Sequence, residues 1–390
     1  MRPTVPMLAL VAAIGAGDSA RAITGSRPEF RKLADDVYAY VGKLNDANAL
    51  AIVTTEGVVL VDTGNNTTDT RELLAHVQSV TTVPVRYVVI TQNHNDHSGG
   101  AALVSPPATT IVHERVVKQW ASLRPHQIAA WRRRFPERMA ALEHITPLDT
   151  VVSFSDRLTL RLGGKDIQVI YVDDPDNPGD IAVWLPKERI LHASMAGYKD
   201  RHPDIRPDYS HGTTAGLLKQ LKAYIALRPV VVVPAHGPLG GVDVLETMIE
   251  YLLLARGRVQ GMMAERLTLP AIEAQFHMKE FSDWDRTEHL AWEAATIYRE
   301  LQGLGPQVIT VAERRLSGVV SSAVQDGRFV TVTDSDGAEV RLRITGDTNL
   351  QGIADRTELR SGMKVSALYE VPEGIVPALG YDTLEATLTR

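Results

Sequence analysis

The chain predicts an α/β fold, and three observations carry that expectation. Nearly unbroken apolar runs such as GVVLVDTG (57–64), VPVRYVVIT (83–91) and PVVVVPAHG (229–237) read as strands covered on both faces. Stretches with apolar residues at helical spacing alternate with these runs. The runs also end in loops rich in aspartate and histidine, and the carboxyl ends of strands are where α/β sheets gather ligand sites.

The elements follow in chain order. VYAYVG (37–42), ALAIVTT (49–55) and GVVLVDTG form a strand series, with TEG (55–57) as the turn between the last two. Thr67 or Thr68 caps a helix through TRELLAHVQSV (70–80), where Leu73, Leu74 and Val77 share one face. The strand over 83–91 delivers the polar loop TQNHNDHSGG (91–100). Helical signals fill 114–143; there WRRRF (131–135) reads as a solvated basic face, and Trp131, Phe135 and Met139 recur at packing intervals. Strands return at VVSFSD (151–156), LTLRLGG (158–164), DIQVIYVDD (166–174), DIAVWLP (180–186) and ERILHASM (188–195). A helix over 213–227 leads into PVVVVPAHG, and 242–302 is mostly helical with a break near Pro270.

After Gly305 the pattern changes to short strands: LSGVVSSAV (316–324), RFVTVTD (328–334), AEVRLRIT (338–345) and MKVSALYEV (363–371). SDG (335–337) is a hairpin turn, and Val340, Leu342 and Ile344 alternate with Arg341 and Arg343. The expected organisation is a signal peptide over 1–22, a main domain with its trailing helices over 23–304, and a small β-barrel-like domain over 305–390. No chemistry-bearing motif stands in the last, which reads as a spacer or stabilising module.

Composition narrows the function. A length of 390 residues, 44% hydrophobic and 23% charged, suits a globular chain with a sizeable core. The net charge of −6 gives no overall attraction to nucleic acid or anionic lipid, so a small-molecule substrate is the expected partner. The cysteine count is zero, which excludes disulfides, thiolate metal sites and cysteine nucleophiles. At the N-terminus, Arg2 precedes an apolar run over 7–15, and ARA (20–22) fits a small-x-small cleavage site. The run is too short to span a bilayer, so export to the periplasm or medium is expected.

The loop 91–100 places His94, Asp96 and His97 within four positions, and Gly99-Gly100 allows a close turn. Imidazole and carboxylate suit zinc or iron. VDTG (61–64), TQNHNDHSGG, NPGDIAVWLPKERILHAS (177–194) and VVVPAHG (231–237), in this order, resemble the metallo-β-lactamase fold superfamily over 37–237. The resemblance implies a four-layer αββα sandwich and a metal-dependent hydrolase. In such a hydrolase a metal-bound hydroxide attacks an ester, amide or lactam-type bond.

The resemblance also implies a ligand set. The family motif His-x-His-x-Asp-His begins here at Gln92, so that His94, Asp96 and His97 match and Gln92 departs. His236 in PAHG matches the late histidine. The histidine of the third loop falls on Asp176, with Asp173 or Asp174 as fallback. The residue that bridges two metals in the family falls on Met195, whose neutral sulfur is a poor ligand for a hard cation. Asp96, His97 and His236 are therefore expected to hold one cation firmly, with Asp96 also orienting the water. Gln92, His94 and Asp176 make a weaker second set, so one or two zinc ions, or iron, are implied.

Asp62 is read either as a partner that orients the histidine loop or as a turn cap. His192 is a hydrogen-bonded core histidine or a substitute ligand, and Tyr209 and His211 line a substrate loop or merely precede a helix cap. The alternative to a hydrolase is a degenerate, non-catalytic relative that binds a ligand or partner in the same cleft. The fold hosts many hydrolytic chemistries and leaves the substrate open.

Overall fold

The computed structural model describes residues 28–42, 47–64, 67–105, 107–118, 151–174, 177–207, 212–306, 311–323, 329–344, 348–353, 355–372 and 381–388. Residues 1–22, expected to be a signal peptide, the Trp131–Phe135–Met139 series, Asp176, Tyr209 and His211 lie outside them.

Seven strands make the first sheet in chain order: β1 (Glu29–Ala34), β2 (Val37–Val41), β3 (Ala49–Thr54), β4 (Gly57–Val61), β5 (Val85–Ile90), β6 (Thr109–His113) and β7 (Val151–Phe154). The first four pair antiparallel, and β4 to β7 run parallel. Helix α1 (Thr67–Val80) makes the crossover from β4 to β5, while the short helices α2 (Asn95–Ser98) and α3 (Ala101–Val104) follow β5. A second sheet holds β8 (Arg157–Leu162), β9 (Lys165–Tyr171), β10 (Ile181–Leu185), β11 (Ile190–His192) and β12 (Val231–Val233), in the order β12-β11-β10-β9-β8.

Side-chain alternation along these strands builds four layers. Leu50, Ile52, Val59, Val61 and Val89 of the first sheet face Ile167, Val169, Ile181, Val183 and Val233 of the second, forming the central core. On the outer face of the first sheet, Ala51, Leu60, Val88 and Ile90 pack against Leu73 and Val77 of α1. On the outer face of the second, Ala182, Trp184, Leu191 and Val232 pack on α4 (Thr214–Ala226) and α5 (Asp243–Ala264) through Leu217, Leu221, Leu245 and Met248. Both faces of both sheets are thus covered, which is why the strands read as apolar runs. The result is the αββα sandwich, with α6 (Leu269–Gln275) and α7 (Leu290–Leu301) joining the outer helical layer. The break expected near Pro270 falls between α5 and α6, and Pro270 sits in the first turn of α6, where its missing N–H costs little.

The C-terminal strands form their own sheet around Leu316, Val320, Val332, Leu342 and Val365. β13 (Val311–Ala323) pairs with β14 (Phe329–Asp334), then come β15 (Glu339–Arg343), the short β16 (Asn349–Gln351), β17 (Lys364–Pro372) and β18 (Tyr381–Leu388). Parallel pairing of β15 with β18, together with β18–β17 and β17–β13, closes five of the strands into a ring. Closure leaves these five no free edge, the usual remedy for exposed strand edges. Among the described residues, no helix is long and apolar enough to cross a membrane.

Candidate metal centre

Two loops from different sheets meet at the carboxyl ends of their strands. The loop after β5 carries Asp96 and His97 on the single turn of α2, and the loop after β12 carries His236. One ligand-type atom from each lies within 4.8 Å of the other two, and among the described residues no other histidine, aspartate or glutamate trio does so. Asp96 Oδ2 is 3.1 Å from His236 Nε2 and 3.8 Å from His97 Nε2. Ligand atoms bound tetrahedrally to zinc at ~2.0–2.1 Å stand ~3.3 Å apart, so these two separations bracket the required value.

The first loop is held from beneath. Asp62, at the end of β4, accepts hydrogen bonds from Thr91 N (2.8 Å) and Thr91 Oγ1 (2.7 Å), and from His97 Nδ1 at 2.6 Å. Thr63 N donates to the His97 carbonyl at 2.8 Å. Asp62 therefore keeps a His97 ring proton on Nδ1, while the buried Nε2 makes no hydrogen bond and becomes a lone-pair donor once the ring is neutral. Asp62 sits at φ 62, a left-handed conformation that aspartate tolerates better than most residues. Gly100 is required by packing, because a Cβ there would lie 1.5 Å from Thr70 Oγ1.

The second loop is held across the sandwich. Asn48 Nδ2 donates to Pro234 O (3.0 Å) and Gly237 O (2.8 Å), and Asn48 N donates to Ala235 O at 2.8 Å. Gly237, at φ 91, would place a Cβ 2.1 Å from Lys199 O. Tyr198 stacks on the His236 ring at 5.6 Å, and its hydroxyl donates to Met195 Sδ at 3.2 Å.

Electrostatics favour the deprotonated states that a cation needs at two of the three positions. Burial, reinforced by Arg201, pushes His236 down to about 4. Burial raises the Asp96 pKa, but His97, His236 and His94 outweigh it and keep the carboxylate ionised. His97 differs: burial opposes its charge, yet Asp62 and Asp96 together hold its pKa above the ordinary value. A cation must displace that proton.

The remaining expected residues are placed as follows. His94 is half-buried, outside the trio, with its pKa pushed down by burial to about 4. Gln92 is fully buried, and neither its Oε1 nor its Nε2 has a hydrogen-bond partner. Such a group costs about 1–3 kcal/mol unless a water or cation satisfies it. Met195 is buried beside Tyr198. His192 Nε2 is 3.3 Å from Asn48 O and 3.8 Å from Asp62 Oδ2, so it lies behind the trio as a buried neighbour of Asp62. Asp174 Oδ2 is 3.7 Å from Lys219 Nζ, and the Asp173 carbonyl accepts from the same ammonium.

Asn48, Arg115, Tyr198 and Asp180 have no counterpart in the sequence reasoning. Arg115 Nη1 donates to Asp174 O (2.9 Å) and Asn177 O (2.7 Å), fastening the third loop. Asp180 is a fully buried carboxyl pushed up to about 8 by burial, with Asp62 adding to the effect and His97 opposing it.

A family model described as the metallo-beta-lactamase superfamily matches residues 42–236, half of the chain. The metallo-beta-lactamase type 2 of Bacillus sp. (strain 170) is 24% identical over 214 residues, covering 54% of this chain and 74% of that one. The linear primary-alkylsulfatase of Pseudomonas sp. (strain ATCC 19151) is 26% identical over 233 residues, covering 50% of this chain and 42% of that one. Among solved structures, the sec-alkylsulfatase Pisa1 from Pseudomonas sp. superposes with a TM-score of 0.54 at 16% identity, over 71% of this chain and 50% of that one. The chain thus spans about half the length of either alkylsulfatase.

Proposed function

The chain belongs to the metallo-beta-lactamase superfamily, and from that premise we propose that it is a metal-dependent hydrolase of an ester, amide or lactam-type bond. Its cation is held by Asp96, His97 and His236. The observation that carries this reading is the convergence of one carboxylate and two imidazoles within 4.8 Å, with His97 Nε2 making no hydrogen bond. The relatives' names, a β-lactamase and an alkylsulfatase, both denote hydrolysis.

When bound, the cation supplies Lewis-acid chemistry, bringing the pKa of a water molecule toward neutrality and polarising the bond to be cut. The chain's residues do the rest. Asp62 keeps the His97 proton on Nδ1, Asn48 fixes the height of the His236 loop, and Asp96, a quarter exposed at its side chain, would help hold the cation and accept a hydrogen bond from a water beside it. We assign zinc as the preferred ion, because two imidazoles and one carboxylate are a donor set that catalytic zinc sites use. Gln92, His94 and Asp176 form at most a weak second set, since methionine replaces the bridging carboxylate. Export, inferred from residues 1–22, and a separate stabilising unit over 305–390 complete the proposal.

The test is metal content of the purified protein, followed by turnover of generic ester, lactone and β-lactam substrates with and without chelator. About one tightly held equivalent of metal and chelator-sensitive turnover are expected. Folded, metal-free protein without turnover would replace this reading with that of a binding protein, the state toward which Gln92 and Met195 lean.

A further inference from the structure

The wall beside His236 is the segment 198–205. Tyr198 forms an isolated parallel bridge with His236, stacks on its ring, and is followed by Lys199 N donating to His236 O at 3.3 Å. The far end of this segment is fastened to the helical layer. Asp285 N donates to Asp200 O (3.0 Å), His202 N donates to Asp285 O (2.8 Å), and the His289 Nδ1 lies 3.1 Å from His202 O.

The His202 side chain continues inward. Its Nδ1 is 2.8 Å from the Tyr251 oxygen on α5, which in turn is 2.7 Å from Glu293 Oε2 on α7. All three side chains are buried, and the Tyr251 ring is fixed by stacking on Trp284 at 5.3 Å. Each link of this chain has one proton, so the chain runs in one of two directions. The Tyr251 hydroxyl donates to Glu293 Oε2, and its oxygen then accepts from His202 Nδ1–H; a proton placed on Oε2 itself would reverse both bonds. The protonation of Glu293 at Oε2 thus selects the His202 tautomer.

We infer that Glu293 and Tyr251 are positioning residues of the metal centre: they set the orientation and tautomer of His202 and so hold the 198–205 wall against His236. The inference rests on the reading of His236 as a metal ligand. Burial supports the neutral form, pushing Glu293 up to about 8 against the partial offset of the Tyr251 bond. The elements packed on α7 bring Tyr251, Arg256 and Arg258 from α5, Glu273 from α6 and His289 from the turn before it, with His202 from the wall; beyond burial, Tyr251 alone acts on Glu293. Arg256 is engaged by Glu300, and Arg258 by Glu280.

The experiment uses full-length protein, with Tyr251→Phe and Glu293→Gln as variants that keep shape. Zinc affinity is read by competition with a chromophoric chelator, and the His202 ring nitrogens by long-range proton–nitrogen NMR across neutral to alkaline pH, assigned with His202→Gln. Tyr251→Phe is expected to weaken zinc binding roughly tenfold at unchanged stoichiometry and to change the His202 tautomer. Glu293→Gln is expected to abolish the change of tautomer that the wild type shows near pH about 8. Lower thermal stability with zinc affinity and His202 signals like those of the wild type would overturn the inference, leaving a purely structural contact. If no form of the protein binds zinc, the metal-site reading fails and this inference with it. Zinc-binding variants with unaltered His202 signals overturn this inference alone.

Discussion

Asp62→Asn separates the electrostatic action of this residue from its backbone strain. Asparagine accepts the φ of 62 as readily as aspartate does, so the turn survives. The carboxylate accepts from Thr91 N, Thr91 Oγ1 and His97 Nδ1 at 2.8, 2.7 and 2.6 Å. An amide cannot reproduce this pattern. If its oxygen keeps Thr91 N, its NH2 meets His97 Nδ1 and drives the ring proton onto Nε2, the atom that faces Asp96 and His236. The opposite flip sets the NH2 against Thr91 N, donor to donor. Removing a partner that orients a metal-bound histidine costs ~10–100-fold in affinity, or about 1.4–2.7 kcal/mol. Chelator competition near neutral pH measures this directly, and the stabilisation by zinc in thermal unfolding should shrink by a comparable amount. A zinc affinity within about twofold of the wild type would refute the tautomer argument.

Four further outcomes are expected. His97→Ala or His236→Ala should abolish tight metal binding, whereas Gln92→Ala and His94→Ala should weaken it less; equal loss in all four would contradict a single firm site. Because the His97 pKa is raised in the free protein, metal binding should release a proton and tighten as pH rises until His97 is deprotonated without metal; calorimetry in buffers of different ionisation enthalpy reads that release. Met195→Asp should raise the metal stoichiometry by restoring a bridging carboxylate, and unchanged stoichiometry would sink that placement. Glu293 is raised from 4.5 to about 8, so its stabilising effect is complete below 4.5 and is lost as pH climbs to about 8. Glu293→Gln should remove about 1.4 kcal/mol per pH unit of slope from denaturant unfolding in that window.

The sandwich was legible because its strands are covered on both faces, so Val58 to Val61 and Val88 to Ile90 carry the signal in composition alone. β1 was not legible: EFRKLA is an exposed edge strand whose charged residues break any alternation. β18 is equally hard to recognise, because polar residues interrupt its apolar ones. At the centre, Asp96 and His97 are neighbours on one turn and announce themselves, while His236 needed a family pattern spanning distant loops. Asn48 and Arg115 act by binding backbone carbonyls far along the chain. Such contacts obey no period or spacing, so nothing local distinguishes these two from any polar loop residue.

Asn48 reaches carbonyls 186 and 189 positions away, and its own carbonyl lies 3.3 Å from His192 Nε2. The two halves of the sandwich are therefore not interchangeable cassettes. A chimera that took β1 to β4 from another family member would inherit a shifted late-histidine loop unless it also kept an amide at this position, so recombination breakpoints that survive should spare the pairing of Asn48 with 234–237.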